Sequence, residues 1–288
     1  MSILKFTSLL IMFVVGMAVV NAQDSKANAV ITLERTACFG SCPIYTVSIL
    51  EDGTVLYNGE RFVSVTGEQT STIDPTVVAQ MVKAFEDAGY FDWDTSYENM
   101  TITDMPTVTT SVTHDGKTHQ IARYAGDYSA PLALPFLEAW IDQMVNSQLW
   151  TGVQPNITNI SNGTDTPVAT LQRTECFGMC PVYSIAAFAD GTVVYTRVAN
   201  VKPIGVSISK LDAAVVASIG SRAQGIGYFN WNDNYENRVM TDQATVITSV
   251  RTDDQYKQIV RYGGDSNAPV GVTWIEEAID QLAAAPAN

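Results

Sequence analysis

The string Cys38-Phe39-Gly40-Ser41-Cys42-Pro43 recurs as Cys176-Phe177-Gly178-Met179-Cys180-Pro181, and an offset of 138 residues holds without a gap from Ile31 to Gln281. Asp52-Gly53-Thr54-Val55 answers Asp190-Gly191-Thr192-Val193, Gly89-Tyr90-Phe91 answers Gly227-Tyr228-Phe229, and Arg123-Tyr124 answers Arg261-Tyr262. A period this long is a tandem duplication of a whole domain, because solenoid repeats recur every 20 to 50 residues. The chain is one module written twice, and any account of its fold has to work for a single copy.

Residues 1–22 stand apart. One positive charge at Lys5, an apolar run from Phe6 to Val20 and a small residue at Ala22 make the pattern of a secretory signal peptide. The run is shorter than the ~20 residues needed to span a bilayer. The duplication then divides the rest into a first domain at 27–148, a linker at 149–167 and a second domain at 168–286. The linker is rich in Asn, Thr, Gly and Pro, the composition of an exposed tether, and its Asn156, Asn159 and Asn162 head Asn-x-Ser/Thr triplets, as does Asn99. The whole chain carries a net charge of −14, and removal of Lys5 with the signal makes it −15. A surface of that sign repels phosphate backbones, which excludes nucleic acid as a natural partner. No later segment is apolar enough to span a membrane.

Within each copy the hydrophobic periodicity changes twice. Ile31–Arg35, Tyr45–Ile49 and Thr54–Tyr57 alternate apolar and polar residues, and Asp52-Gly53 is a strong hairpin signal. A fourth strand is expected around Phe62–Thr66. Asp74-Pro75 then supplies an N-cap and a proline for the first helical turn, and Val78, Met81, Val82 and Phe85 share one helical face up to Gly89. After a long irregular stretch come strands at Thr107–Thr113 and Thr118–Tyr124. A last helix carries Leu132, Phe136, Leu137, Trp140, Ile141 and Met144 on one stripe. The expectation is an α+β chain of two tandem homologous domains, each an antiparallel sheet of five or six strands with two helices packed on one face.

Four cysteines in an exported chain point to disulfides, and three pairings are open. The ancestral single module had to pair its own cysteines, which favours Cys38–Cys42 and Cys176–Cys180 over bridges between copies. A loop this small gains roughly 2 kcal/mol from its bridge, enough to pin a turn. A reversible dithiol or a Cu(I) site would need a helping neighbour. His114 and His119, the two histidines, align with Thr252 and Lys257, and Met179 aligns with Ser41, so neither kind of neighbour is common to the copies. No cofactor and no metal site is expected, and no catalytic motif is present.

The stretch from Phe91 to Pro106 exceeds the usual length of a connection inside a compact domain. Both copies carry the same residues in it. Trp93, Tyr97, Glu98, Asn99 and Asp104, with Trp231, Tyr235, Glu236, Asn237 and Asp242, form a candidate binding loop, to which Arg123 and Arg261 add a cation at the end of the last strand. The alternative, and the favoured one, is an Ω-loop packed on its own side chains. The arginine is expected to pair with Asp104 or Asp127 and to fasten the loop to the sheet. Asp92, Asp94 and Glu98 alternate as in a calcium loop, but no glycine sits at the turning position and Asn230 and Asn232 replace the aspartates in the second copy.

The motif from Arg35 to Val55, repeated from Arg173 to Val193, resembles a mainly bacterial family, domain of unknown function 6438. The resemblance extends over most of both copies and implies an exported bacterial protein with no activity attached. No lipid-attachment cysteine follows the signal, which implies a free form in the periplasm or medium. The function expected is a disulfide-stapled tandem binding or structural module for a protein, peptide or envelope polymer, its two copies either engaging a partner bivalently or docking on each other. The alternatives are a thiol-disulfide or copper-handling protein and an inhibitor of an exported enzyme.

Overall fold

The computed structural model describes residues 28–284 except 101, 156 and 239, so the proposed signal peptide lies outside the described residues. The first copy runs β1 (Ala29–Arg35), β2 (Ile44–Leu50), β3 (Thr54–Arg61), β4 (Gly67–Thr72), α1 (Pro75–Asp87), β5 (Ser96–Tyr97), β6 (Thr107–His114), β7 (Lys117–Tyr124) and α2 (Ala133–Met144), followed by the single turn α3 (Gln148–Thr151). The second copy repeats this as β8 (Ala169–Arg173), β9 (Val182–Ala187), β10 (Thr192–Ala199), β11 (Gly205–Lys210), α4 (Ala213–Gly225), β12 (Asn234–Tyr235), β13 (Thr245–Arg251), β14 (Tyr256–Tyr262) and α5 (Val270–Ala284).

Each copy builds one sheet of seven strands, in the order β4-β3-β2-β1-β6-β7-β5 and its equivalent. Three expectations are corrected here, the first being the strand count, which is seven rather than five or six. The sheet is mixed, because the two-residue strand β5 pairs in parallel with β7, Tyr97 lying beside Arg123. The fourth strand is Gly67–Thr72 rather than Phe62–Thr66: the apolar residues of that segment belong to the β3–β4 connection, while the strand itself is a polar edge, where charge and hydroxyls discourage pairing with other chains.

The hairpin and helix signals are realised as read. Gly53 and Gly191 turn with φ +86° and +89°, and a Cβ on Gly53 would stand 2.0 Å from the Ile73 carbonyl oxygen, so no other residue fits that turn. Asp74 caps α1 by accepting from Thr76 N at 2.8 Å, and Asp212 caps α4 from Ala214 N at the same distance. Alternate residues of the central strands, Ile31, Leu33, Val47, Ile49 and Val55, are fully buried against Met81, Phe85, Leu137, Trp140 and Ile141 of the two helices. By area, full burial of such a side chain stabilises by about 1.5–3 kcal/mol, which makes this layer the main adhesive of the domain.

The two copies dock on each other, head to tail. Phe136 of α2 packs on Phe188, Ala186 and Val194, which lie on the outer face of the second sheet, and Ile157 from the linker joins the same cluster. Trp140 Nε1 donates to the Arg197 carbonyl at 3.0 Å across this junction. The linker is therefore packed structure for part of its length: Trp150 stacks on Tyr57 with ring centroids 4.9 Å apart, and Ser64 N and Val65 N donate to the carbonyls of Thr151 and Trp150 at 3.1 and 2.8 Å.

Candidate functional site

The short cysteine loop fixes the geometry from which the rest follows. Cys38–Cys42 and Cys176–Cys180 are both bridged, with Cα atoms 5.7 Å apart, and no free cysteine remains among the described residues. Gly40 and Gly178 adopt φ +151° and +148°, and each donates its N–H back to the carbonyl two residues earlier, at 3.0 and 2.9 Å. That turn leaves Phe39 and Phe177 at the tip, 88% and 86% exposed. An apolar ring held that far into water by a covalent clamp is an unusual use of phenylalanine in a soluble domain.

The long loop packs against this clamp. Phe39 N donates to the Asp104 carbonyl at 3.1 Å, and Asp104 takes a left-handed φ of +71°, matched by +70° at Asp242. In the first copy the neighbouring Met100, Ile102 and Met105 are all exposed, while the second copy places Arg238, Met240 and Gln243 at those positions beside an exposed Met179. The loop is held at three points, each duplicated. Tyr97 Oη accepts from Asp94 N at 3.1 Å, Asp127 accepts from Asn99 N at 2.8 Å, and Tyr124 Oη accepts from Met105 N at 3.0 Å. Tyr235, Asp265 and Tyr262 repeat these bonds with Asn232, Asn237 and Gln243. Burial pushes the Tyr97 hydroxyl above its ordinary range. At Asp127 burial works the other way from the amides of Asn99 and Ser129, and the amides win, holding the carboxyl below its usual value.

These anchors sort the expected loop residues. Trp93 and Trp231 turn inward onto Tyr90 and Tyr228, with ring centroids 5.8 Å apart in both copies. Tyr97 and Tyr235 are buried at 8% exposure each, whereas Glu98, Asn99 and Asp104 face solvent with Glu236, Asn237 and Asp242. The loop is thus self-packed on its aromatics, with its polar residues and methionines outward.

Arg123 does not pair with Asp104 or Asp127. Its Nε donates to Glu138 Oε1 at 2.9 Å and its Nη2 to Glu138 Oε2, a two-pronged buried pair that Arg261 and Glu276 repeat at 2.8 and 2.6 Å. The reason is directional: a buried side chain on β7 points toward the helix layer, where Glu138 waits on α2, while both aspartates lie on loops. One helical turn further along α2, Asp142 accepts from Arg35 Nη2 at 2.7 Å and from Tyr45 Oη at 2.6 Å. Asp280 holds Arg173 and Tyr183 at 2.6 and 2.7 Å in the same way. Burial and then the Asp142 charge drive the Tyr45 hydroxyl far above its normal range. Sequence reading missed this network, although Arg35, Tyr45, Glu138 and Asp142 all recur unchanged at the 138-residue offset. It fastens the last helix over the sheet, each guanidinium matched by a carboxylate.

A cavity of about 250 Å³ lies over the network in the first copy, lined on one side by the linker residues Val153, Gln154 and Pro155. In the second copy the equivalent charges stand closer to water: the Asp280 side chain is 29% exposed against 5% for Asp142.

Comparison with known proteins gives little beyond kinship. No curated protein matches the chain. Among solved structures, the beta subunit from DNA polymerase of Streptococcus pyogenes aligns with 6% identity and a TM-score of 0.12, covering 88% of this chain. This chain spans 60% of that subunit's length, and a likeness so small carries no argument. The family model described as a domain of unknown function, DUF6438, matches residues 29–145 and again residues 167–283, so the chain belongs to that family, as two tandem copies of its domain.

Proposed function

We propose that this chain is an exported binding module that engages a protein partner through the stapled loops carrying Phe39 and Phe177. One observation carries the reading: in both copies the same phenylalanine stands almost wholly in solvent on a disulfide-clamped turn, while the other shared aromatics of the region fold inward. An apolar tip on a rigid loop is suited to filling a partner's pocket. Burying it contributes about 1.5–3 kcal/mol, and the clamp lowers the ordering cost of association. Around the tip the copies differ, with Met100, Ile102 and Met105 in one and Arg238, Met240 and Gln243 in the other, so the two sites share an anchor and differ in their rims. Two static disulfides accord with an oxidising compartment and with export directed by residues 1–22.

The test replaces Phe39 and Phe177 by serine, singly and together, and uses a photo-reactive residue at position 39 to trap contacts in the exported fraction of the source cell. The double variant should fold normally and lose the trapped partner. A partner retained at full strength by the double variant would refute the assignment. Export itself is checked by sequencing the released protein, whose first residue should be Gln23.

A further inference from the structure

The junction of the two copies holds a second cavity that the stapled loops do not touch. It measures about 220 Å³ and lies between the end of α2, the linker and the ends of β8 and β9 that flank the second cysteine loop. By the ~30 Å³ that each water occupies in the liquid, it has room for about seven waters, the scale of one sugar ring. Its lining is dominated by amides: Gln143 and Asn146 from the end of α2, Gln148 from α3, Gln154 from the linker and Gln172 from β8. The charged groups on its wall are already engaged, Asp142 with Arg35 and Arg173 with Asp280, and Glu175 stands at the exposed rim. Tyr183 adds a half-buried ring.

One further fact distinguishes this space from a simple packing gap. Gln154 reaches the cavity only because the linker folds back, and Gln172 only because the second copy docks. Neither domain alone would assemble the site. Each amide offers a donor and an acceptor side by side, which matches a hydroxyl group, itself donor and acceptor. A phosphate or carboxylate would find no uncommitted cation on this wall, and an ammonium would find Glu175 alone.

From this we infer that the inter-copy cavity binds a neutral sugar unit of a glycan, by hydrogen bonds from its exposed amides and with Val182 and Val198 as the apolar contact, the Tyr183 ring being packed already against Arg173 and Tyr195. The reading is independent of the stapled loops. The probe is the β1,4-linked tetramer of N-acetylglucosamine, titrated into the purified protein and followed by amide chemical shifts and calorimetry, with glucose as a second neutral probe. Saturable binding is expected, with shifts at Gln172, Thr174 and Gln154. Gln154→Ala and Gln172→Ala should each weaken it about tenfold or more, while thermal unfolding of the variants and the affinity of the Phe39→Ser protein stay at the parent values. No saturation by either sugar up to roughly 10 mM, about ten times the ~1 mM of a weak specific complex, overturns the inference. So does binding that survives the Gln154→Ala/Gln172→Ala double variant, or shifts centred elsewhere on the molecule.

Discussion

Asp142 and Asp280 occupy equivalent positions, make equivalent bonds and differ in their cover, so truncating each to alanine measures what the linker does. In the first copy Asp142→Ala strands a guanidinium and a phenol: Arg35 loses contacts of 2.7 and 3.1 Å, and Tyr45 loses one of 2.6 Å, beside the linker residues Val153–Pro155. Removing one partner of a buried pair costs about 3–5 kcal/mol. Because the Arg35 side chain keeps 23% exposure, the lower end, ~3 kcal/mol, applies. In the second copy water already reaches Asp280; Arg173 is as exposed as Arg35, and it is the half-buried Tyr183, against 4% exposure at Tyr45, that can be hydrated once stranded. The loss there is closer to the ~1.5 kcal/mol typical of an accessible charged hydrogen bond. The difference of ~1.5 kcal/mol corresponds to a urea midpoint lower by about 0.7 M for Asp142→Ala than for Asp280→Ala, taking a slope of ~2 kcal/mol/M. Urea titration gives the midpoints, and peptide-resolved hydrogen exchange assigns each loss to β1–β2 or β8–β9. Equal losses, or a greater loss for Asp280→Ala, would show that the linker does not shield the network, and the argument from burial would fail.

Phe136→Ala should cost ~3–5 kcal/mol, and it should expose the linker at residues 152–166 to limited proteolysis, since Phe136 is the aromatic that α2 inserts against Phe188. Cys38→Ser with Cys42→Ser should lower stability by only ~2 kcal/mol and leave the core amides protected, because the bridge closes so small a loop. The acid response of the long loop has a defined sign. Asp127 and Asp265 have carboxyls held below their ordinary value in the folded protein, so their anchoring is complete above the unfolded value of about 3.9 and is lost as pH falls through the lower folded value. Amide shifts of Asn99 and Asn237 should move in that window, and Asp127→Asn should abolish the movement at Asn99 while leaving Asn237 unchanged.

Local signals with a short-range cause were legible in the sequence. Asp52-Gly53 needed no partner to announce a turn, Asp74-Pro75 announced a helix, and the duplication favoured the pairing of cysteines four residues apart. What escaped was set by the third dimension. Strand β5 is two residues long, too short for any periodicity, and exists because Tyr97 settles beside Arg123. Phe62–Thr66 alternates like a strand, but the amides of Ser64 and Val65 are spent on the linker carbonyls of Thr151 and Trp150. Asp142 stands 107 residues from Arg35, beyond local reasoning. The stapled phenylalanines were written in the motif itself, and their exposure was not, because an apolar residue beside two cysteines ordinarily reads as core.

The two copies differ on the faces that make the contact between them. The contact is heterologous, helix face onto outer sheet face, and such a contact could in principle continue from chain to chain. On the second sheet the receiving face carries Ala186, Phe188, Val194 and Val206. The equivalent positions of the first sheet are Ser48, Leu50, Leu56 and Glu68. A helix laid there would bury the Glu68 carboxylate without a cation, at a cost of several kcal/mol that two leucines do not offset. At the other end, Val270 and Trp274 stand where α2 has Leu132 and Phe136, and they are 62% and 56% exposed among the described residues. The donor helix surface thus persists in the second copy while the acceptor surface is missing from the first, as capping repeats do in longer arrays. The substitutions on the first sheet's face thus disfavour repetition of the contact from chain to chain, while the docking of the two copies builds the amide-lined cavity that neither module could form alone.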